Sequence, residues 1–140
     1  MTIYRSDAFD RWLRHLRDSR AKARILTTLR RWSLTGIITG DIKPVGEIMT
    51  LTRWDAADYL NDDASIIAYL DEVAAEDDPA LLQAALGDIA RAKGMTAIAQ
   101  QIGVGRESLY KSLSDTGNPS FQTVARVVRA LGGRITITAA

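Results

Sequence analysis

The chain has no cysteine, a single histidine and no apolar run near the roughly 20 residues that a membrane-spanning helix requires. Without cysteine there is no disulfide framework and no thiolate chemistry. That usage fits a reducing compartment, so a cytoplasmic location is expected. The opening MTIYRSDAFDRWLRHLRD lacks the apolar core of a signal peptide. The one histidine, His15, falls within an amphipathic helical stretch. A lone helical histidine is more often a surface or packing residue than a general base, and no Ser-His-Asp arrangement accompanies it. Asp62-Asp63 and Asp77-Asp78 have no His or Cys partners at ligand spacing, so they read as helix caps and solvated charge rather than metal ligands. Gly103-Val104-Gly105 lacks the lysine and the strand-loop-helix setting of a phosphate loop. The expectation is therefore no catalytic residue, no metal and no cofactor, and a protein that is not an enzyme.

What is present is a chain of 140 residues, 46% apolar, enough for one domain or two very small ones. The net charge of +1 hides three regions. Residues 1–47 carry ten Lys or Arg against five Asp or Glu, a net +5. Residues 54–78 carry nine acidic side chains and no basic one. Residues 79–140 carry seven basic against three acidic, a net +4. Basic flanks suit polyanions, and an acidic middle suits a basic protein or the basic N-terminal part of the same chain. Each run is equally compatible with a solvated helix face.

Hydrophobic periodicity places the elements. Ile3 and Tyr4 suggest a short strand. Ser6 is a plausible N-cap for a helix with Phe9, Trp12, Leu13 and Leu16 on one face. A second helix is expected over 19–33, with Ile25, Leu26, Leu29 and Trp32 inward and Lys22, Arg24, Arg30 and Arg31 largely elsewhere. Thr35-Gly36 and Thr39-Gly40 interrupt the pattern, and Asp41 to Gly46 reads as a loop or extended piece. Two acidic helices are expected over 54–60 and 65–73. Asp78 as N-cap and Pro79 at the first helical position open the next helix, whose buried face is Leu82, Ala85, Leu86 and Ile89. Lys93-Gly94 closes it. Helices over 96–101 and 106–113 follow, and then one capped by Asn118 and begun by Pro119, with Phe121, Val124, Val127, Val128 and Leu131 apolar. Arg134 to Thr138 alternates with period two and reads as a terminal strand. The fold expected is mainly α, a helix-turn-helix bundle with extra N-terminal helices and a short C-terminal β-strand.

The informative stretch is MTAIAQQIGVGRESLYKSL, residues 95–113. In a helix-turn-helix, two helices cross closely so that the second can enter the DNA major groove. Ala99 is the small residue that close crossing needs, and Gly103 tolerates the positive φ of the turn. Ile98, Ile102, Val104 and Leu109 are expected to lock the pair to the core. The candidate DNA-binding residues are Thr96, Gln100, Gly105, Arg106, Glu107, Ser108, Lys111 and Asn118. Arg106 suits bidentate pairing with guanine, and Ser108 suits bases or phosphate. Lys111, Thr96, Gln100 and Asn118 suit phosphate. Tyr110 either touches DNA or packs inward. The competing reading for each polar residue is plain solvation.

Residues 49–140 resemble the antidote protein of a bacterial addiction module, of the HigA type within the Cro/CI-like (XRE) helix-turn-helix group. The resemblance is carried by LTRWDAADYL (51–60), DPALLQAALGDIARAKGM (78–95), IGVGRESLYKSLS (102–114) and GNPSFQTVARVVRALG (117–132). Gly105 departs from the Ser usual as N-cap of the recognition helix, and Ser112 stands at a position usually apolar, beside Leu113. The resemblance implies an antitoxin that represses its own operon as a homodimer on a palindromic operator and neutralises a cognate toxin. Segment 134–138 is then a candidate pairing edge.

Residues 1–47 resemble a different family, the start of a RelE/HigB-like toxin of phage-derived type. FDRWLRHLRDSRAKARILTTLRRW (9–32) and GDIKPVGE (40–47) carry that likeness. Further sheet strands of that family, with most of its RNA-cleaving residues, do not follow; Met49 reads as a natural antitoxin start. The chain thus divides into a truncated toxin-like segment (1–47), acidic linker helices (48–78) and a helix-turn-helix domain (79–140). Expected partners are double-stranded operator DNA, a RelE/HigB-like toxin or the basic segment 1–47 in cis, and a second copy of the chain, with no membrane. The alternative is a self-inhibited toxin–antitoxin fusion, a protein-interaction module that does not read DNA sequence.

Overall fold

A computed structural model describes residues 2–36 and 51–139. Thr39-Gly40, the loop expected over 41–46 and Met49 lie outside the described residues. The chain forms two compact units, one ending at Glu72 and the other starting at Val73.

In the first unit, β1 (Tyr4–Ser6) pairs antiparallel with β2 (Leu51–Arg53) in the register Tyr4↔Arg53, Arg5↔Thr52 and Ser6↔Leu51. Ser6 also caps α1 (Asp7–Arg14), its Oγ accepting from the Phe9 N–H at 3.2 Å. Asp18 caps α2 (Ser19–Thr35), accepting from Arg20 and Ala21, and Gly36 ends it in the left-handed region at φ 68°. The acidic helix expected over 54–60 is a single 3-10 turn, Ala56–Tyr59, capped by Asp55. α3 (Asp63–Ala75) follows. Leu13, Ala23, Leu26, Trp54, Ala56, Tyr59, Leu60, Ile66 and Tyr69 are buried. Two expectations are corrected here. Trp12 lies 52% exposed, and Lys22, expected among the solvated cations, is buried. Lys22 reaches inward because its ammonium finds the Ser65 hydroxyl at 3.4 Å.

The second unit is built on α4 (Pro79–Lys93), capped by Asp78 and closed at Gly94. Around it stand α5 (Met95–Ile102), α6 (Arg106–Ser112) and α7 (Phe121–Ala130). α5 touches α4, α6 and α7. The single buried stripe expected for α4 is replaced by burial of every residue from Ala84 to Ala90. Enclosed on several sides, the helix shows no one-sided pattern. Asp88 is tolerated there, 1% exposed, because Arg91 donates to it at 3.0 Å.

The start of α7 is also corrected. Its N-cap is Ser120, whose Oγ accepts from the Thr123 N–H at 3.1 Å, so Asn118 and Pro119 precede the helix. Proline favours extended backbone at the residue before it, which keeps Asn118 out of a helix. Phe121, expected inward, is 75% exposed. The terminal strand over 134–138 does not form: the segment carries no strand pairing, and Ile137 is 97% exposed. Alternation alone makes no strand, because a strand needs a partner edge and the second unit holds no other strand among the described residues. The mainly α architecture stands, and among the described residues the one small sheet is β1–β2.

Candidate nucleic-acid interface

The α5–turn–α6 unit follows from two glycines and an alanine. Ala99 is 2% exposed on α5, which packs against α4, α6 and α7. α5 ends at Gly103, whose φ of 78° and ψ of 32° lie in the left-handed region. That conformation turns the Val104 N–H back onto the Ala99 carbonyl at 3.0 Å. Gly105, at φ −71° and ψ 144°, is the N-cap of α6, and its carbonyl accepts the Leu109 N–H at 3.0 Å. Leu109 is 1% exposed and Ile98 4% exposed, so these two anchor the helices as expected. Ile102 is half-buried and Val104 is exposed, a correction to the expected lock. Val104 holds the turn through its backbone instead of its side chain.

All eight candidate residues are exposed, and seven of them belong to this pair of helices and its turn. Thr96 and Gln100 sit four apart on α5 and so share a face. Gly105 precedes α6, Arg106, Glu107 and Ser108 form its first turn, and Lys111 lies in its last. Asn118 is separate, in the loop before Ser120. Tyr110 faces outward, 57% exposed. The positions of Ser112 and Leu113 also sort themselves out. Leu113 takes the buried position at 4% exposure, and the Ser112 hydroxyl donates to the Ser108 carbonyl at 2.9 Å.

Neither α5 nor α6 has a side-chain N-cap, since glycine occupies both positions. Ser6, Asp18, Asp78 and Ser120 each supply a capping oxygen to α1, α2, α4 and α7. The first-turn N–H groups of α5 and α6 therefore depend on an acceptor from outside the helix, such as water or an anion.

Sequence reasoning missed what holds the far end of α6. The Gln83 amide donates to the carbonyls of Ser114 at 2.6 Å and Gly117 at 2.8 Å, with the Ser112 carbonyl at 3.4 Å. Glycine lets the backbones meet there. A Cβ at Gly87 would come within 2.9 Å of the Leu113 carbonyl oxygen, and one at Gly117 would collide with the carbonyls of Lys111 and Ser112. A polar residue inside the otherwise apolar run PALLQAAL was the available signal for Gln83.

A second polar constellation, in the first unit, was also missed. Arg5 donates to Asp58 at 2.9 Å and to the Tyr59 hydroxyl at 2.9 Å, and that hydroxyl donates to Asp10 at 2.8 Å. Arg14 donates to Asp10 at 3.0 Å and to the Asp58 carbonyl at 3.0 Å. Burial opposes the charge on Arg5, but its bonds to Tyr59 and Asp58 and the nearby Asp10 leave its pKa raised. Burial likewise opposes the Asp10 charge, yet bonds from Arg14 and Tyr59 and the charge of Arg5 hold Asp10 below the ordinary carboxylate value. Burial and the bond to Asp10 push the Tyr59 phenol up to about 12. Burial lowers the Lys22 pKa against the pull of Asp62. His15 is exposed at the end of α1, with its Nδ1 2.7 Å from the Arg11 carbonyl.

Among the described residues no group of three or more His, Cys, Asp or Glu is placed to hold a metal ion, and no helix is long and apolar enough to cross a membrane. A family model described as "Probable addiction module antidote protein" matches residues 50–139. An uncharacterized protein of Haemophilus influenzae (strain ATCC 51907 / DSM 11121 / KW20 / Rd) is 49% identical over 81 residues, which are 58% of this chain and 84% of the relative. No solved structure matches the chain.

Proposed function

The chain belongs to the addiction module antidote family, and on that premise we propose that it is a DNA-binding antitoxin of the HigA type that represses its own operon and neutralises a RelE/HigB-like toxin. The observation that carries the DNA-binding reading is the α5–turn–α6 geometry. A buried Ala99 and a left-handed Gly103 set the two helices, and the outer residues of α6 stay exposed.

In this reading α6 enters the major groove with its N-terminal end toward the base edges. Arg106 pairs with a guanine, Ser108 contacts a neighbouring base or its phosphate, and the Glu107 carboxylate accepts from a cytosine amino group. Lys111, Thr96, Gln100 and Asn118 hold the backbone, and the uncapped N–H groups of α5 add phosphate donors. Two copies on a palindrome give the affinity that one short helix cannot supply. The balanced total charge is no obstacle, since Arg106 and Lys111 stand exposed on the same short helix.

A reporter gene behind the DNA upstream of this chain's own gene tests the reading. Repression by the intact chain and relief by the Arg106→Ala, Lys111→Ala double variant are expected. Unchanged expression in both cases would reject it. The first unit favours a second reading as a protein-interaction module, because its basic N-terminal residues pair with acidic residues of the antidote segment at Asp58 and Glu72. Stable protein with no selectivity for any DNA sequence would favour that reading.

A further inference from the structure

The family match begins at residue 50, yet the first compact unit runs across that point to Glu72. Residues 51–72 of the antidote segment thus fold against residues 2–36, which the family model does not include. We propose that the face formed by residues 51–72 is a protein-docking surface, and that residues 2–36 occupy it in cis as a strand followed by basic helices. The proposal rests on membership of the antidote family and is independent of DNA reading.

Strand addition supplies the backbone part of the contact. β1 pairs with β2, and the Trp54 N–H donates to the Ile3 carbonyl at 2.7 Å. Edge pairing of this kind is a general mode of peptide capture, with side-chain pockets adding selectivity. Here that side chain is Tyr59, fully buried, whose hydroxyl accepts from Arg5 and donates to Asp10.

Charge supplies the rest. Residues 2–36 carry nine Lys or Arg against three Asp, while residues 54–72 carry six acidic side chains and no basic one. Arg5 pairs with Asp58 at 2.9 Å and Arg24 with Glu72 at 3.9 Å, and Arg14 adds a hydrogen bond to the Asp58 backbone carbonyl. The Haemophilus influenzae relative is shorter than this chain, because 81 residues make up 84% of it but only 58% of this one. An antidote segment without residues 2–36 would present an open β2 edge, the Tyr59 ring and hydroxyl, and acidic groups. That combination fits a separate polypeptide with a strand leading into an arginine-rich amphipathic helix.

The test keeps the full chain and inserts a protease site between residues 36 and 51. The cut halves should stay together in dilute buffer and separate in mild urea, which is then dialysed away, because buried Leu13 and Leu26 make the contact apolar as well as charged. The separated C-terminal piece should keep its helical circular dichroism and rebind a labelled peptide of residues 2–36. Asp58→Arg should weaken that rebinding about 30-fold or more, as expected for breaking a part-buried charge pair. A peptide carrying Arg5→Asp should recover most of the loss. Helix melting in the C-terminal piece on separation would overturn the proposal, because residues 2–36 would then be core rather than occupant. So would equal binding of a scrambled peptide of the same composition.

Discussion

The backbone N–H of Val104 donates to the carbonyl of Ala99 at 3.0 Å, closing the turn that sets α6 against α5. The bond depends on Gly103 at φ 78°, a conformation that costs an L side chain about 1–2 kcal/mol. Gly103→Val should lower stability by about that amount, read as a shifted urea midpoint at unchanged slope. Gly103→Asn should lose less, since asparagine visits this region more readily. No Cβ clash adds to the cost, because nothing lies within 4 Å of the position.

Gln83 ties α4 to the chain that leaves α6. Gln83→Leu removes the donor to the Ser114 and Gly117 carbonyls and should cost about 1–3 kcal/mol. Hydrogen exchange should speed up at the end of α6 in this variant before it does so in α4. Uniform acceleration across the second unit would mean that the side chain acts only through global stability.

At the proposed DNA surface, Arg106→Ala should lose about 1–3 kcal/mol of discrimination at a single base step. Lys111→Ala should instead weaken specific and random DNA alike and reduce the salt slope by about one. Binding titrations on a set of single-base operator variants separate the two patterns. Equal losses on all sequences for Arg106→Ala would make it a phosphate contact.

The polar constellation of the first unit should give stability two pH limits. Asp10 has a lowered folded pKa, so its contribution is present above the unfolded value of 3.8 and is lost as pH falls through the lower folded one. Tyr59 has a raised folded pKa, so its contribution is complete below 10 and is lost as pH rises toward about 12. Ultraviolet titration should show a late-ionising phenol that Tyr59→Phe removes. Asp10→Asn should flatten the acid limb of the urea midpoint. Midpoints that respond to pH in the same way as those of the intact chain would contradict both assignments.

Elements with local signals were legible in the sequence. Ser6 and Asp78 act as the caps expected of them, and Gly103 sits where a small residue four positions earlier predicts it. Errors arose where tertiary contacts decide. Period-two alternation at 134–138 predicted a strand, but an edge to pair with cannot be read from that segment. Lys22 looked like a surface cation, and its burial depends on Ser65, 43 positions away. The Arg5–Asp58–Tyr59 network links residues more than 50 positions apart, beyond the reach of any local pattern. The outward positions on α6 were readable because exposure follows helical spacing from the buried Leu109.

The most direct measurement is fluorescence anisotropy of the intact protein with DNA from immediately upstream of its own gene, against shuffled DNA, across a salt series. Tight binding to the upstream sequence alone, weakening with salt in proportion to the phosphates neutralised, is the expected result. Weak binding of equal strength to both DNAs would contradict the DNA-reading role of α6.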